Sequence, residues 1–361
     1  CESFKLSSNH ARRGLATRSR GSISRPLSSS SRENFDPPER QTVASVYESS
    51  RKYLNAAGVP DADISARYLI CEAAKLGYRL SDFNKNQQRE LGSDEIKAMQ
   101  EFCEKRIARV PVQYIIGNWD FFGLTLECVE PVLIPRPETE ELVEMIVESN
   151  ADRRDTPLRI LDIGCGTGAI GLALLSQFPQ AKCTAIDVSD QATSLAMRNA
   201  RSVLGVGIEG QEGLDGASRY QVKHVAFMDF VREQMEVGEE AGERFDIIVS
   251  NPPYIPSSEM VTLQSEVRLY EDHGALHGGV DGLDIVRQII RHGPCLFAKD
   301  AHQDRCDIWL EVSESHPEVV KAALGDEGDA PNADKELYAY VEALNDLSGN
   351  PRFVRLRRAA P

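Results

Sequence analysis

Between about residues 40 and 109 the apolar positions recur at helical spacing. Val43, Val46, Tyr47 and Tyr53 fall near one stripe, and Ala66, Leu69, Ile70 and Ala73 near a second, the recurrence of amphipathic helices. A third helix is predicted from Ser93 to Arg109, with Ser93 as its cap and Ile96, Met99 and Ile107 facing inward. Residues 39–109 thus read as a small helical domain with no chemistry of its own. From Val110 the period shortens. Val112–Gly117 and Leu124–Val129 resemble two strands joined through Trp119–Gly123, a hairpin linker over 110–135. Ile134-Pro135-Arg136-Pro137-Glu138-Thr139-Glu140 then forms a rigid turn into a helix running through Glu148. Proline suits the first helical turn, and acids there complement the helix dipole.

Residues 136–361 alternate between short apolar runs and helical stretches. The predicted strands are Arg159–Ile163, Cys183–Asp187, Gln221–Ala226, Asp246–Ser250, Asp307–Val312, Tyr338–Ala343 and Phe353–Leu356. Helical patterns include Ala169–Gln177, Gln191–Leu204 and Leu283–Phe297. Such βα alternation gives a doubly wound, mainly parallel sheet with helices on both faces. Gly/Glu-rich stretches at Gly205–Ala217 and Glu236–Glu243 read as solvated loops.

Charge separates the N-terminus from the rest. Residues 1–35 hold seven basic residues against two acids, with the run Ser28-Ser29-Ser30-Ser31. An Arg- and Ser-rich, acid-poor segment of this kind reads as a disordered organelle transit peptide over 1–38, mitochondrial or plastid, or else as a plain disordered tail. The remainder carries 34 basic and 54 acidic residues, a net charge near −20. An acidic body repels phosphate backbones, so extended nucleic-acid binding is not expected. No apolar run reaches the length of a membrane span. Eight cysteines without a C-x-x-C pair indicate neither a zinc site nor a disulfide framework, and no metal is expected.

Two motifs carry chemistry. Leu161-Asp162-Ile163-Gly164-Cys165-Gly166-Thr167-Gly168-Ala169-Ile170-Gly171 lies where a strand ends and a helix begins. Glycine there permits a sharp turn and lets a ligand approach where a Cβ would stand. Asp187, nineteen residues after Gly168 at the end of the next strand, can bind both hydroxyls of a ribose. Together they indicate an adenosine-bearing cofactor. On this motif alone a nicotinamide enzyme competes, because Gly164-x-Gly166-x-x-Ala169 also fits the dinucleotide fingerprint.

The second motif, Asn251-Pro252-Pro253-Tyr254, directly follows the strand Phe245–Ser250. Its prolines end the strand abruptly and hold the asparagine at the carboxyl edge of the sheet, where ligands bind in such folds. An amide nitrogen is a weak nucleophile because its lone pair is delocalised. The Asn251 side-chain oxygen and the Pro252 carbonyl can accept hydrogen bonds from its two N–H groups. They would aim the nitrogen at a sulfonium methyl and stabilise the positive charge that develops. Tyr254 can stack on the planar group. A nicotinamide enzyme has no use for this device.

Taken together, the chain resembles the release factor glutamine N5-methyltransferase family, and within it the mitochondrial branch. The resemblance rests on Arg109–Gly117, Leu133–Glu140, the glycine loop, Asn251–Tyr254 and Gly278-Gly279-Val280-Asp281-Gly282-Leu283, and covers nearly everything after the leader. It implies a Rossmann-like, class I S-adenosylmethionine-dependent methyltransferase domain with a seven-stranded, mainly parallel sheet, behind a small helical domain that docks the substrate protein. It further implies that Gly164, Cys165, Gly166, Thr167, Gly168, Asp187, Phe230 and Asn251 contact S-adenosylmethionine, with Phe230 beside the adenine. Asn251, Pro252, Pro253 and Tyr254 would bind the substrate, with Asn251, Pro252 and Tyr254 catalytic. The implied acceptor is the glutamine of the Gly-Gly-Gln motif in an organellar peptide chain release factor. Where bacterial members carry Gly and Gln after the fifth strand, this chain reads Leu310-Glu311-Val312-Ser313-Glu314-Ser315-His316-Pro317, and His316 is expected to be a surface or capping residue. Two other readings remain: a methyltransferase acting on adenine N6 or guanine N2 of a nucleic acid, and a non-catalytic adaptor that has kept the fold.

Overall fold

The computed structural model describes residues 37–205, 219–238, 241–298, 305–324 and 338–358. The expected leader, apart from its last two residues, lies outside them, as do 206–217 and 239–240 of the Gly/Glu-rich stretches.

Five helices come first: α1 (Val43–Ala56), α2 (Ala62–Ala73), α3 (Leu80–Asn86), α4 (Ser93–Ile107) and α5 (Val112–Ile116). They close over a core that includes Val43, Leu54, Leu69, Ile70, Met99 and Cys103, all without exposed surface. Thr42 caps α1 by accepting from the Ser45 amide, while the Ser45 hydroxyl accepts from the Thr42 amide. Ser93 lies inside α4 and is not its cap. The cap is Gly92, whose N–H donates to the Glu95 carboxylate at 2.8 Å.

Val112–Ile116 is helical, contrary to the strand expected there. Pro111 starts the turn, and Gly117, at φ 79°, ends it by donating to the Gln113 carbonyl. Ile115 and Ile116 pack into the helical core. The hairpin is therefore shorter and later than predicted: β1 (Asn118–Phe121) pairs antiparallel with β2 (Leu124–Glu127). Its two turn residues, Phe122 and Gly123, both have positive φ (48° and 78°), as hairpin turns matching strand twist require. Then α6 (Pro137–Ser149) begins with Pro137 in its first turn.

The remaining elements are β3 (Arg159–Ile163), α7 (Ala169–Gln177), β4 (Lys182–Asp187), α8 (Asp190–Leu204), β5 (Tyr220–His224), α9 (Phe227–Glu236), β6 (Ile247–Ser250), α10 (Ser265–Tyr270), α11 (Asp284–His292), β7 (Asp307–Glu311), α12 (His316–Leu324), β8 (Tyr338–Asn345) and β9 (Pro351–Arg358). The sheet order is β5-β4-β3-β6-β7-β9-β8, parallel except where β9 pairs with β7 and β8. Side chains alternate between two buried faces. Ile160, Ile247, Val249 and Trp309 enter one core; Leu161, Ile248, Ile308 and Leu310 enter the other. Covering by helices on both faces explains why these strands read as unbroken apolar runs. The helix expected over Leu283–Phe297 ends at His292 and tightens into a 3₁₀ turn, Gly293–Leu296. Strand order reverses between β3 and β6, and ligands bind at the carboxyl ends of strands at such a switch point.

Candidate active site

In the parallel pairing of β3 with β6, Ile163 lies opposite Ser250, and the Ser250 hydroxyl donates to the Ile163 carbonyl at 2.7 Å. The next residues are Gly164 and Asn251. The two sequence motifs thus leave the sheet side by side.

The glycine loop is held from below and from the side. Gly164 and Cys165 donate to the Ile186 carbonyl at 2.8 and 3.1 Å, and Gly168 donates to the Cys165 carbonyl. Gly164 (φ 72°) and Gly166 (φ 55°) occupy the left-handed region with open space where a Cβ would stand. Gly168 (φ 83°) instead lies against Tyr220, whose hydroxyl would be 2.8 Å from an added Cβ. Cys165 and Thr167 are buried, so any ligand meets their backbone rather than their side chains. Asp187 accepts from the Gly166 and Ser189 amides, both at 2.9 Å, while burial raises its pKa. Below the loop, Asp162 accepts from the Gly171 amide at 3.0 Å, and burial pushes its carboxyl up to about 7. An open cleft of about 550 Å³ lies beside Asp187, lined by Val188, His224, Val225, Ala226 and Asp229.

Asn251 has a defined orientation. Its Nδ2 donates to Thr139 Oγ1 at 3.2 Å, and that hydroxyl donates to Glu311 Oε2 at 2.7 Å. The other Glu311 oxygen accepts from the Tyr254 hydroxyl at 3.4 Å. Burial raises the pKa of Tyr254 and pushes Glu311 up to about 7. Four separate stretches meet here: the loop after β6, the first turn of α6, the end of β7 and, through Arg352, β9. An open cradle suited to a sulfonium nucleoside therefore stands beside an asparagine whose amide nitrogen is turned inward.

The PrmC N-terminal domain matches residues 45–117, and the methyltransferase small domain matches 139–225. The MTRF1L release factor glutamine methyltransferase of Homo sapiens is 38% identical over 313 residues, 84% of this chain and 84% of that one. The chain belongs to the release factor glutamine methyltransferase family. A second member, the release factor glutamine methyltransferase of Agrobacterium fabrum, is 34% identical over 88% of this chain and 98% of its own length. A solved structure, the protein-(glutamine-N5) methyltransferase (release factor-specific) of Alicyclobacillus acidocaldarius, aligns at 24% identity over 63% of this chain and 95% of that one, with a TM-score of 0.35. The fold is the class I S-adenosylmethionine-dependent methyltransferase fold preceded by the family's helical domain, and the protein is a protein-glutamine methyltransferase.

In this methyltransferase the Gly278–Leu283 motif acts as backing for the Asn251 loop. Gly278 donates to the Ile255 carbonyl, and a Cβ on it would lie 2.5 Å from the Pro253 carbonyl oxygen. A Cβ on Gly282 (φ 80°) would strike the Tyr254 carbonyl oxygen and the His316 ring. Glycine is required because the two backbones touch.

Two expected positions are corrected. Phe230, placed beside the adenine from the sequence, has no exposed surface. Its ring packs against Phe245, with centroids 6.2 Å apart, inside the core below α9, so it supports the cleft wall without lining it. His316 is neither at the surface nor a side-chain cap. It is buried, its Nε2 lies 3.0 Å from the Asp281 carbonyl oxygen, and burial lowers its pKa.

Three site residues had no role assigned from the sequence, although Thr139 lies within the Leu133–Glu140 motif. Besides Thr139 and Glu311, Asn199 on α8 accepts from the Glu127 amide at 2.7 Å and donates to the Thr167 carbonyl at 2.9 Å, tying the hairpin to the glycine loop. The helical domain is joined to α10 by the Arg106–Glu266 ion pair at 2.9 Å, both side chains buried or nearly so, and by Tyr270 donating to the Ala108 carbonyl at 2.7 Å.

Proposed function

We propose that this chain methylates the side-chain amide nitrogen of the glutamine in the Gly-Gly-Gln motif of an organellar, mitochondrial release factor. S-adenosylmethionine supplies an electrophilic methyl on a sulfonium: its C–S bond breaks as the N–C bond forms, and the amide gives up one proton to solvent. The open face of Gly164 and Gly166 and the carboxylate of Asp187 fit such a nucleoside. Gly164, Gly166 and Gly168, with the backbone of Cys165 and Thr167, bind its methionine end, and Asp187 binds the ribose.

Asn251 Oδ1 and the Pro252 carbonyl take the two N–H hydrogens of the glutamine amide. They orient the nitrogen and stabilise the charge that grows on it. Pro253 and Tyr254 wall the planar group and exclude water from the methyl. The helical domain, residues 39–109, docks the release factor protein. The observation that carries this reading is the adjacency of Gly164 and Asn251 across a paired register, with the Asn251 nitrogen tied to Thr139. An acidic body favours a protein acceptor over RNA. The Arg- and Ser-rich leader supports an organellar location.

The test is mass spectrometry of mitochondrial release factor incubated with enzyme and S-adenosylmethionine, with structured RNA as a parallel substrate. One added methyl on the motif glutamine is expected. Methyl incorporation into RNA alone would overturn the assignment.

A further inference from the structure

The Glu311–Thr139–Asn251 chain carries information about direction. An ionised carboxylate only accepts hydrogen bonds, and a threonine hydroxyl has one proton. With Glu311 ionised, the Thr139 proton is committed to Oε2, leaving the Thr139 oxygen to accept from Asn251 Nδ2. The amide is thereby set with Oδ1 turned away from Thr139 as an acceptor. If Glu311 is protonated it can donate to Thr139, the hydroxyl can then donate toward Asn251, and the amide is favoured in the opposite sense. An NH₂ group would then face the NH₂ group of a glutamine, donor against donor.

We infer that Glu311 is a positioning residue for methyl transfer, acting through Thr139 to fix the acceptor face of Asn251 and through a second bond to hold the Tyr254 hydroxyl. This rests on the substrate reading above. The groups facing Glu311 are Thr139 and Glu138 from α6, Tyr254 from the loop after β6 and Arg352 from β9. Its carboxyl is held up near 7 mainly by burial, with Arg352 and the Thr139 hydroxyl opposing. The active, ionised form of Glu311 therefore predominates only above about pH 7, and the glutamine amide adds no ionisation of its own in that range.

The experiment measures kcat and KM from pH 5.5 to 8.5 for wild type, Glu311→Gln, Thr139→Val and Thr139→Ser on the same release factor, with S-adenosylmethionine affinity as a check on folding. Wild-type kcat should fall below about pH 7. Glu311→Gln should lose that acid limb and about tenfold of kcat at pH 8; Thr139→Val should lose about 100-fold, the scale of a misaligned reacting group. Thr139→Ser should restore both rate and limb. Asp162 lies near the same pH, so Asp162→Asn should leave the limb in place.

An acid limb that survives Glu311→Gln, or a Thr139→Ser variant no better than Thr139→Val, would overturn the inference while leaving the substrate reading intact. If wild type transfers no methyl to release factor, the substrate reading fails instead. The positioning claim is then read from the ¹⁵N side-chain amide signals of Asn251. They should move as wild type is taken below about pH 7 and stay fixed in Glu311→Gln; signals that stay still in both would overturn it.

Discussion

Buried carboxylates occur at both ends of the parallel sheet, and the two ends treat them differently. At the amino end Asp246 is bonded by Arg153 and Arg159, and Asp307 by Arg355 and Arg357. Around the site at the carboxyl end Glu271 is also paired, with Arg136, but Asp162 and Asp187 accept from backbone amides and Glu311 from two hydroxyls, and burial raises the pKa of these three. The first arrangement neutralises charge and locks strands together. The second leaves charge without a guanidinium among these bonds, which costs stability and is retained where the charge has work to do.

This contrast can be broken from either end. The largest effect is expected at the site itself: Asn251→Ala should lower kcat/KM about 1,000-fold, the scale for losing an oriented electrostatic partner, while folding and most of the cofactor affinity are kept. A loss below tenfold in a methyl-transfer assay would remove Asn251 from the chemistry. At the other end, Asp246→Ala leaves Arg153 buried beside a missing partner and should cost about 3–5 kcal/mol in denaturant unfolding, while folded enzyme keeps its kcat.

Gly166→Ala places a side chain in a left-handed backbone next to open ligand space, a strain of about 1–3 kcal/mol. Cofactor affinity, measured by calorimetry, should drop about tenfold or more, with a smaller change in kcat. The last effect is read as a slope and not as a loss of rate. Asp162 titrates near 7 in the fold against 3.8 as a free side chain. The native state therefore holds the extra proton, and stability falls as pH rises from about 4 to about 7. Glu311, also held near 7, contributes to the same fall, so Asp162→Asn should make that part of the urea-midpoint profile shallower without abolishing it; an unchanged slope would place the titration elsewhere.

Much of the fold was readable because strands buried on both faces are apolar throughout and are bounded by glycine, proline or polar residues. All seven strands of the large sheet lie within a few residues of their predicted positions. Val112–Ile116 was misread because a five-residue run in which only Gln113 is neither branched nor aromatic fits either period. Tertiary packing of Ile115 and Ile116 decides it. The hairpin turn falls inside the connector expected over Trp119–Gly123 but is tighter, because Phe122 takes a left-handed conformation that its residue type does not announce. At the site, the glycines and Asn251–Tyr254 were legible because their backbone demands restrict residue choice. Thr139 and Glu311, 172 positions apart, meet only after the sheet order places β7 next to β6 and α6 across them. The burial of Phe230 was hidden for a related reason: which face of α9 looks inward depends on Phe245, in the segment just before β6.

The pairing of Ile163 with Ser250 has a mechanical consequence. Adjacent strands are separated by a distance fixed by backbone hydrogen bonding, about 4.8 Å in any sheet. The donor cradle and the acceptor clamp inherit that spacing directly, with no hinge between them. Their alignment therefore cannot loosen gradually on warming. It persists until the central strands unzip, so catalytic competence and the cooperative melting of the sheet should vanish at one temperature.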